Sequence, residues 1–124
     1  MTNQGQFTPA AVKPTVPLAD FDKLDLRVGT IERVEDVPKS DKLIKLTVDF
    51  GDHSRQILVG MKRERPDPGS EILGRQALFL VNVTPKRLAG ELSEGMLVDI
   101  GYADGLRPVL AVPEAPIANG ARAG

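Results

Sequence analysis

Between one apolar run, which opens at Ala77 and breaks at Thr84-Pro85, and another, Met96 to Ile100, the chain sets two adjacent cations, Lys86 and Arg87, two glycines, Gly90 and Gly95, and Ser93. Pro85 lacks an N–H for a sheet ladder, so the first run must end as a strand before it. A run of this length bounded by turn residues reads as a strand buried on both faces. The polar, partly cationic connection therefore sits on a rigid support, and loops on rigid supports are where binding residues concentrate. Its chemistry is charge neutralisation and hydrogen bonding. Ser93 reads as a hydroxyl in an exposed loop.

The same residues argue against catalysis. Ser93 lies in Gly90-Glu91-Leu92-Ser93-Glu94-Gly95, which is not the spacing of a nucleophile elbow. His53 is the single histidine and falls in a separate turn, so a Ser–His relay is disfavoured. The acidic residues are scattered singly, and no phosphate-loop glycine pattern occurs. With 0 cysteines, neither a disulfide framework nor a thiolate metal site is available. We expect no enzyme activity, no metal and no cofactor.

The 124 residues are enough for one domain with a core of its own. Lysine and arginine total 16 against 17 aspartates and glutamates, a balance unlike that of a generic polyanion binder. Any nucleic-acid role then needs cations gathered on one face, and two local clusters are visible: Lys62, Arg63 and Arg65, and Lys86 with Arg87. A solvated mixed surface is the plainer reading of either cluster. No apolar run approaches a membrane span. The first residues lack the basic-then-apolar order of an export signal, so cytoplasm is the default compartment.

The elements that must position the connection follow from pattern. Residues 1–17, with Pro9, Pro14 and Pro17, read as a disordered tail, and residues 18–124 as the domain. Leu18 to Leu24 suits one helical turn capped by Asp20, with Phe21 and Leu24 toward the core. Asp25 to Val37 reads as a strand whose apolar phase slips at Gly29, the mark of a β-bulge. Leu43 to Phe50 alternates cleanly, with Ile44, Leu46, Val48 and Phe50 inward, and Arg55 to Val59 returns as its hairpin partner. Pro66 to Gly69 interrupts regular structure before a short helical turn capped by Ser70 and ended by Gly74. Arg107 to Val112 is the last strand. Short strands, bends and one helical piece before the fourth strand predict an all-β fold, a small barrel. The five-stranded OB-fold barrel has this order, but periodicity does not separate it from an SH3-like barrel.

Single-strand binders usually stack bases on aromatic rings. The aromatic residues are Phe7, Phe21, Phe50, Phe79 and Tyr102, with Phe50 and Phe79 at core-facing positions. A stacking platform is not expected, so RNA would be read through its shape and backbone.

Two gapped signatures then carry a resemblance. Phe21 to Gly29 (FDKLDLRVG), Val34-Glu35, Pro38, Asp41-Lys42-Leu43 and Val48 to Gly51 form the first. Asn82, Pro85-Lys86, Leu88, Gly90 and Ser93 to Leu97 form the second. The chain resembles the tRNA-binding OB domain that is appended to bacterial methionyl-tRNA synthetases and also occurs as a free structure-specific tRNA-binding protein. The likeness covers about Leu18 to Gly124. The opening FDKLD and the ending Asn119 to Gly124 also resemble CsaA-type export chaperones. The family's first signature often has histidine and alanine where this chain has Val37 and Ser40, and a serine where it has Val59.

The resemblance implies a five-stranded OB-fold barrel with a short flanking helical turn and a C-terminal extension. It implies an RNA site at Asn82, Lys86, Ser93 and Met96, with Arg87 adjacent. Lys86 suits a phosphate, Asn82 and Ser93 a phosphate or 2′-hydroxyl, and Met96 an adaptable apolar contact. The alternatives are that Asn82 bridges backbone at a strand end, Ser93 caps the turn and Met96 is core. The implied function is a non-catalytic module that binds tRNA by shape and backbone and assists an aminoacyl-tRNA synthetase. The alternative is a CsaA-like chaperone for unfolded polypeptide. Either kind implies a homodimer built through Leu18 to Leu24 and Leu106 to Gly124.

Overall fold

The computed structural model describes residues 6–124, so the start of the predicted tail lies outside the described residues. Regular structure begins with a helical turn, α1 (Leu18–Phe21). Three strands follow: β1 (Leu26–Asp36), β2 (Ile44–Asp49) and β3 (Ser54–Val59). Then come α2 (Pro68–Ile72) and β4 (Gln76–Leu80). The remaining strands are short: β5 (Lys86–Leu88), β6 (Glu91–Ser93), β7 (Met96–Leu97), β8 (Asp99–Ile100), β9 (Val109–Leu110) and β10 (Arg122–Ala123).

The main sheet runs β3-β2-β1-β4-β7, with every pairing antiparallel, and β10 adds to the start of β1. β1 is long enough to pair with β4 through its first half and with β2 through its second. Between β6 and β7, Glu94 donates its N–H to the Gln56 carbonyl on β3 (2.8 Å), which curls the open edges toward each other. The result is an all-β, OB-like barrel with α2 packed beside β1, in line with the predicted fold class.

Inward positions of these strands form one core, in which Ile31, Leu46, Val48, Ile57 and Phe79 are fully buried. Phe79 meets Phe50 edge-to-face at 5.6 Å. Ile44, Leu46, Val48 and Phe50 all face this core, as their alternation predicts. β4 differs from expectation. Ala77 and Phe79 are buried, whereas Gln76, Leu78 and Leu80 are only half-buried, because the sheet's other face is covered by no more than a thin C-terminal segment. Leu78 gives its N–H to Ala111 within that segment (2.9 Å).

The bulge in β1 also falls elsewhere. The register slips between Ile31 and Arg33, beyond Gly29. Gly29 serves packing instead: a Cβ there would stand 2.5 Å from Val48 Cγ1 and 2.9 Å from Phe50 Cε1. α2 is capped by Asp67, whose side chain accepts the Ser70 N–H, and Pro68 is the first helical residue. Ser70 is therefore not the cap, and Pro68 starts the helix where it was read as barring one, since proline's missing N–H is unpaired there anyway. In α1 no side chain caps the helix, and Phe21 and Leu24 are 40% and 48% exposed, so neither belongs to this core. The last predicted strand shrinks to Val109–Leu110, and β10 was not foreseen.

That final strand is held by side chains. Asn119 Oδ1 accepts from Thr30 Oγ1 and Gln76 Nε2, both at 2.9 Å, and its Nδ2 donates to Asp49 (3.3 Å). Gln76 also brackets Ile117 through its carbonyl (2.6 Å) and N–H (3.2 Å). Gly120, at φ 89°, lies so close to the Phe50 carbonyl that a Cβ would collide with it. The Asn119-Gly120 pair of the sequence signature is thus the clip fastening the C-terminal segment across β1, β2 and β4.

Candidate nucleic-acid interface

The connection between β4 and β7 is a hairpin. β5 and β6 pair Lys86 with Ser93, Arg87 with Leu92 and Leu88 with Glu91. Ala89 and Gly90 make its tip with φ of 51° and 81°. A two-residue loop with both φ positive matches strand twist, and glycine relieves the strain at the second position.

The hairpin is tied down along its length. Ser93 Oγ accepts the Leu58 N–H (3.1 Å) and donates to the Gly95 carbonyl (3.0 Å), and the residue is only 6% exposed. Gln56 Nε2 donates to the Leu92 carbonyl (2.9 Å), and Lys45 pairs with Glu91 (3.5 Å). Leu88 packs on a satellite core of Val37, Leu43 and Leu58. Ser93 is therefore a support under the hairpin, corrected from an exposed loop hydroxyl: burial leaves its oxygen no face toward a ligand.

The Pro38 to Lys42 loop stands beside the hairpin tip, and a cleft between them is lined by Lys39, Lys42, Leu88 and Ala89. Lys62 fixes this loop from beneath, donating to the carbonyls of Val37 (3.1 Å) and Ser40 (2.6 Å) and pairing with Asp36. Arg63 pairs with Asp41, and Arg65 with Glu71. The cluster Lys62, Arg63 and Arg65 is thus committed to partners within the chain. By contrast, Lys39, Lys42, Lys86 and Arg87 are exposed and form no ion pair among the described residues. Four exposed cations without an ion pair therefore share the loop and hairpin at one end of the barrel, while Lys13, Arg75 and Arg122 lie apart from them, although the whole chain carries a formal charge of −1.

Met96 lies on β7 and is 49% exposed, so it is not core. With Lys42 and Lys86 it lines a groove of about 550 Å³, floored by Leu43, Leu58 and Leu97. Glu64 and Asp99 also reach this groove. Burial, with the Asp99 charge beside it, pushes the Glu64 carboxyl above its ordinary range, while Arg65 opposes the shift.

Asn82 stands apart from this groove. Its Oδ1 accepts the Asp25 N–H and its Nδ2 donates to the Lys23 carbonyl, both at 2.8 Å, joining the end of β4 to the chain entering β1. It is exposed, so it bridges backbone and still faces solvent. Beside it, Arg27 holds Asp25 through Nε (2.9 Å) and Nη2 (3.0 Å), and these bonds keep the Asp25 carboxyl below its ordinary range. Sequence reasoning located the hairpin cations but missed Lys39 and Lys42 as their neighbours. Their signal was the polar turn Lys39-Ser40-Asp41-Lys42, whose partner in space no local pattern reveals.

His53 stays in its turn, bonded to Asp52 (2.6 Å) and stacked on Phe50 at 5.7 Å, far from any nucleophile arrangement. Among the described residues, no cluster of histidine, cysteine, aspartate and glutamate is set to hold a metal. Nor, among these residues, is any helix long and apolar enough to cross a membrane.

Comparison with known proteins agrees with this geometry. Residues 26–122 match the family profile described as "Putative tRNA binding domain". Methionine–tRNA ligase of Porphyromonas gingivalis is 39% identical over 114 residues, which is 91% of this chain and 16% of that enzyme. The chain thus spans about a sixth of the length of this relative. Among solved structures, a MetRS-related protein from Pyrococcus horikoshii superposes with a TM-score of 0.82 at 30% identity, covering 90% of this chain and 100% of that one. The chaperone CsaA from Bacillus anthracis does so at 0.74 and 32%, with the same coverage. A hairpin and loop bearing free cations, on an OB-like barrel matched almost end to end, leave one assignment: the chain belongs to the tRNA-binding domain family found in methionyl-tRNA synthetases.

Proposed function

We propose that the chain is a non-catalytic module that grips tRNA by its shape and backbone. Lys39, Lys42, Lys86 and Arg87 neutralise phosphates, while Met96 rests against a sugar or base and Ser93 holds the hairpin in place. Asn82, just past the end of β4, retains a free lone pair and N–H for a phosphate or 2′-hydroxyl contact. The observation that carries this reading is the gathering of unpaired cations on one end of a barrel whose other cations are largely paired. Recognition of this kind fixes orientation without reading sequence.

The module works in the cytoplasm beside a methionyl-tRNA synthetase, supplying affinity for tRNA. We also propose that residues 18–124 form its folded domain and that two copies pair through the flanking segments. Phe21, Leu24, Val112 and Ile117 support that pairing, being 40–52% exposed on those segments, an apolar surface that a partner copy would cover. Light scattering of the full chain at micromolar concentration tests it, and a stable monomer refutes it.

A second reading, a CsaA-like chaperone for unfolded polypeptide, is favoured by the apolar floor of the groove and by the likeness to the CsaA structure. Filter binding of tRNA and of an unfolded presecretory peptide separates the two. On the tRNA reading, affinity falls steeply with salt, since counterions are released from each neutralised phosphate. Lys86→Glu then weakens all tRNAs alike and leaves the melting temperature unchanged. Normal tRNA binding by Lys86→Glu, with robust and salt-independent peptide binding, moves the assignment to the chaperone.

A further inference from the structure

We infer that the groove beside the hairpin receives one splayed-out base of single-stranded RNA, stacked on Tyr102, and favours bases that carry an exocyclic amine. The inference rests on the tRNA reading and extends it from backbone contact to base contact.

Tyr102 is 67% exposed and lines this groove, where it is the sole aromatic residue. It sits on a 3₁₀ turn (Tyr102–Asp104) flanked by Gly101 and Gly105, with φ of 108° and 72°. Asp104 and Leu106 both give their N–H to the Gly101 carbonyl (3.1 and 3.0 Å), so the ring stands on a closed, hydrogen-bonded turn. An aromatic side chain left this open costs hydrophobic stabilisation, and its π-face is what a base stacks upon. The phenylalanines do not compete: Phe50 and Phe79 are buried, Phe21 lies by the C-terminus near Gly124, and Phe7 is half-buried in the N-terminal segment and does not line the groove.

The rest of the groove suits a nucleotide. About 550 Å³ falls in the range of small-ligand sites, roughly 300–1,000 Å³, and admits an extruded base but not a duplex. Leu58, Met96 and Leu97 give an apolar wall for the base. Lys42 and Lys86 line it and form no ion pair among the described residues, which leaves them for the phosphates on either side. The groove also holds two carboxylates, Glu64 and Asp99, which a pure phosphate site would exclude. Ionised carboxylates only accept hydrogen bonds. The amines of cytosine, adenine and guanine satisfy them, whereas uracil offers a single N3–H flanked by two carbonyl oxygens that repel a carboxylate.

The chain has 1 tyrosine and 0 tryptophans, so its intrinsic emission reports on Tyr102 alone. Titration of the full-length protein at pH 7.5 with hexamers of cytidylate, adenylate and uridylate tests the inference. The cytidylate and adenylate hexamers should quench the emission and bind at least about fivefold tighter than the uridylate one. Tyr102→Phe should keep hexamer binding, and Tyr102→Ala should weaken it by roughly 5- to 100-fold, the span of one lost base stack. Glu64→Gln should retain binding but bring uridylate level with cytidylate, because the amide both donates and accepts.

Emission unmoved by saturating hexamer, or hexamer affinity unchanged in Tyr102→Ala, overturns the inference. If tRNA still binds in a Lys86-dependent way, the tRNA reading survives that failure. If neither tRNA nor any hexamer binds, both fall. Quenching by unfolded peptide and not by RNA assigns the groove to polypeptide and also overturns it.

Discussion

Ser93→Ala distinguishes a support from a ligand contact. The wild-type hydroxyl takes the N–H of Leu58, itself 7% exposed, and gives its proton to the Gly95 carbonyl. Alanine restores neither bond at this position, which is 6% exposed on β6 against β3. A buried N–H left without an acceptor costs about 1–3 kcal/mol. For a chain of this size each kcal/mol lowers the melting temperature by about 4 °C, so the variant should melt about 4–12 °C early. Thermal scans by circular dichroism measure this directly. Lys86→Glu, at the exposed position paired with Ser93, should melt as the wild type does. If Ser93→Ala melts within about 1 °C of wild type and loses tRNA affinity instead, the hydroxyl faces the ligand and the support argument is wrong.

Gly29→Ala should be destabilised by about 1–3 kcal/mol in urea titration, because the added methyl meets Val48 and Phe50, neither of which can retreat within the core. Asn119→Ala should release the C-terminal clip, and trypsin should then cut after Arg122 faster than in wild type while the barrel persists. Asp25, its carboxyl range lowered chiefly by the Arg27 hydrogen bond, adds stability above its ordinary 3.8 that is lost as pH falls through the lowered value. The pair is partly exposed, so the loss is under about 1 kcal/mol, and Asp25→Asn should remove that stretch of acid sensitivity from a melting-temperature series. Glu64 has the opposite sign: its raised value favours the folded state below 4.5 and opposes it as pH rises, so Glu64→Gln should melt slightly higher than wild type at pH 7 and not at pH 4.

What the sequence revealed and what it hid divide along a physical line. β2 was legible because it turns one face to the core and its alternation is written residue by residue, and β3 followed as its hairpin return, although Ile57, Leu58 and Val59 are all buried. β10 was not, since Arg122-Ala123 has no strand pattern and is held by pairing with β1 and through Asn119, which Thr30, Asp49 and Gln76 grip from distant strands. Gly29 stood out, but its cause was a close approach by Val48, which no local phase discloses. At the candidate site, the resemblance pointed to Asn82, Lys86, Arg87, Ser93 and Met96, and the residue types alone did not tell contacts from supports. Ser93 is buried and Met96 exposed because the hairpin that turns at Ala89-Gly90 lays β6 against β3, where the hydroxyl meets Leu58, before the chain crosses to pair with β4. Lys39 and Lys42 escaped notice since their neighbours on β5 lie more than forty residues away in the chain.

The balance of charge that argued against a nucleic-acid role turns out to be compatible with one. Screening confines an exposed charge to about 8 Å at physiological salt, so a phosphate senses its neighbours and not the sum. Net charge over the chain is therefore the wrong measure, and the pairing of each cation the right one. Lys62 and Arg65 are held by acids that build the loop and α2, and they contribute structure. Lys39, Lys42, Lys86 and Arg87 have no such partner among the described residues, and the bonds made by Lys62 and Ser93, with the packing of Leu88, hold their backbones in place before any ligand arrives. Acids spent on paired cations elsewhere lower the overall charge without weakening this end. A near-neutral barrel can thus present a local, preorganised cationic face, with long-range attraction to unrelated polyanions kept low by the remainder of its surface.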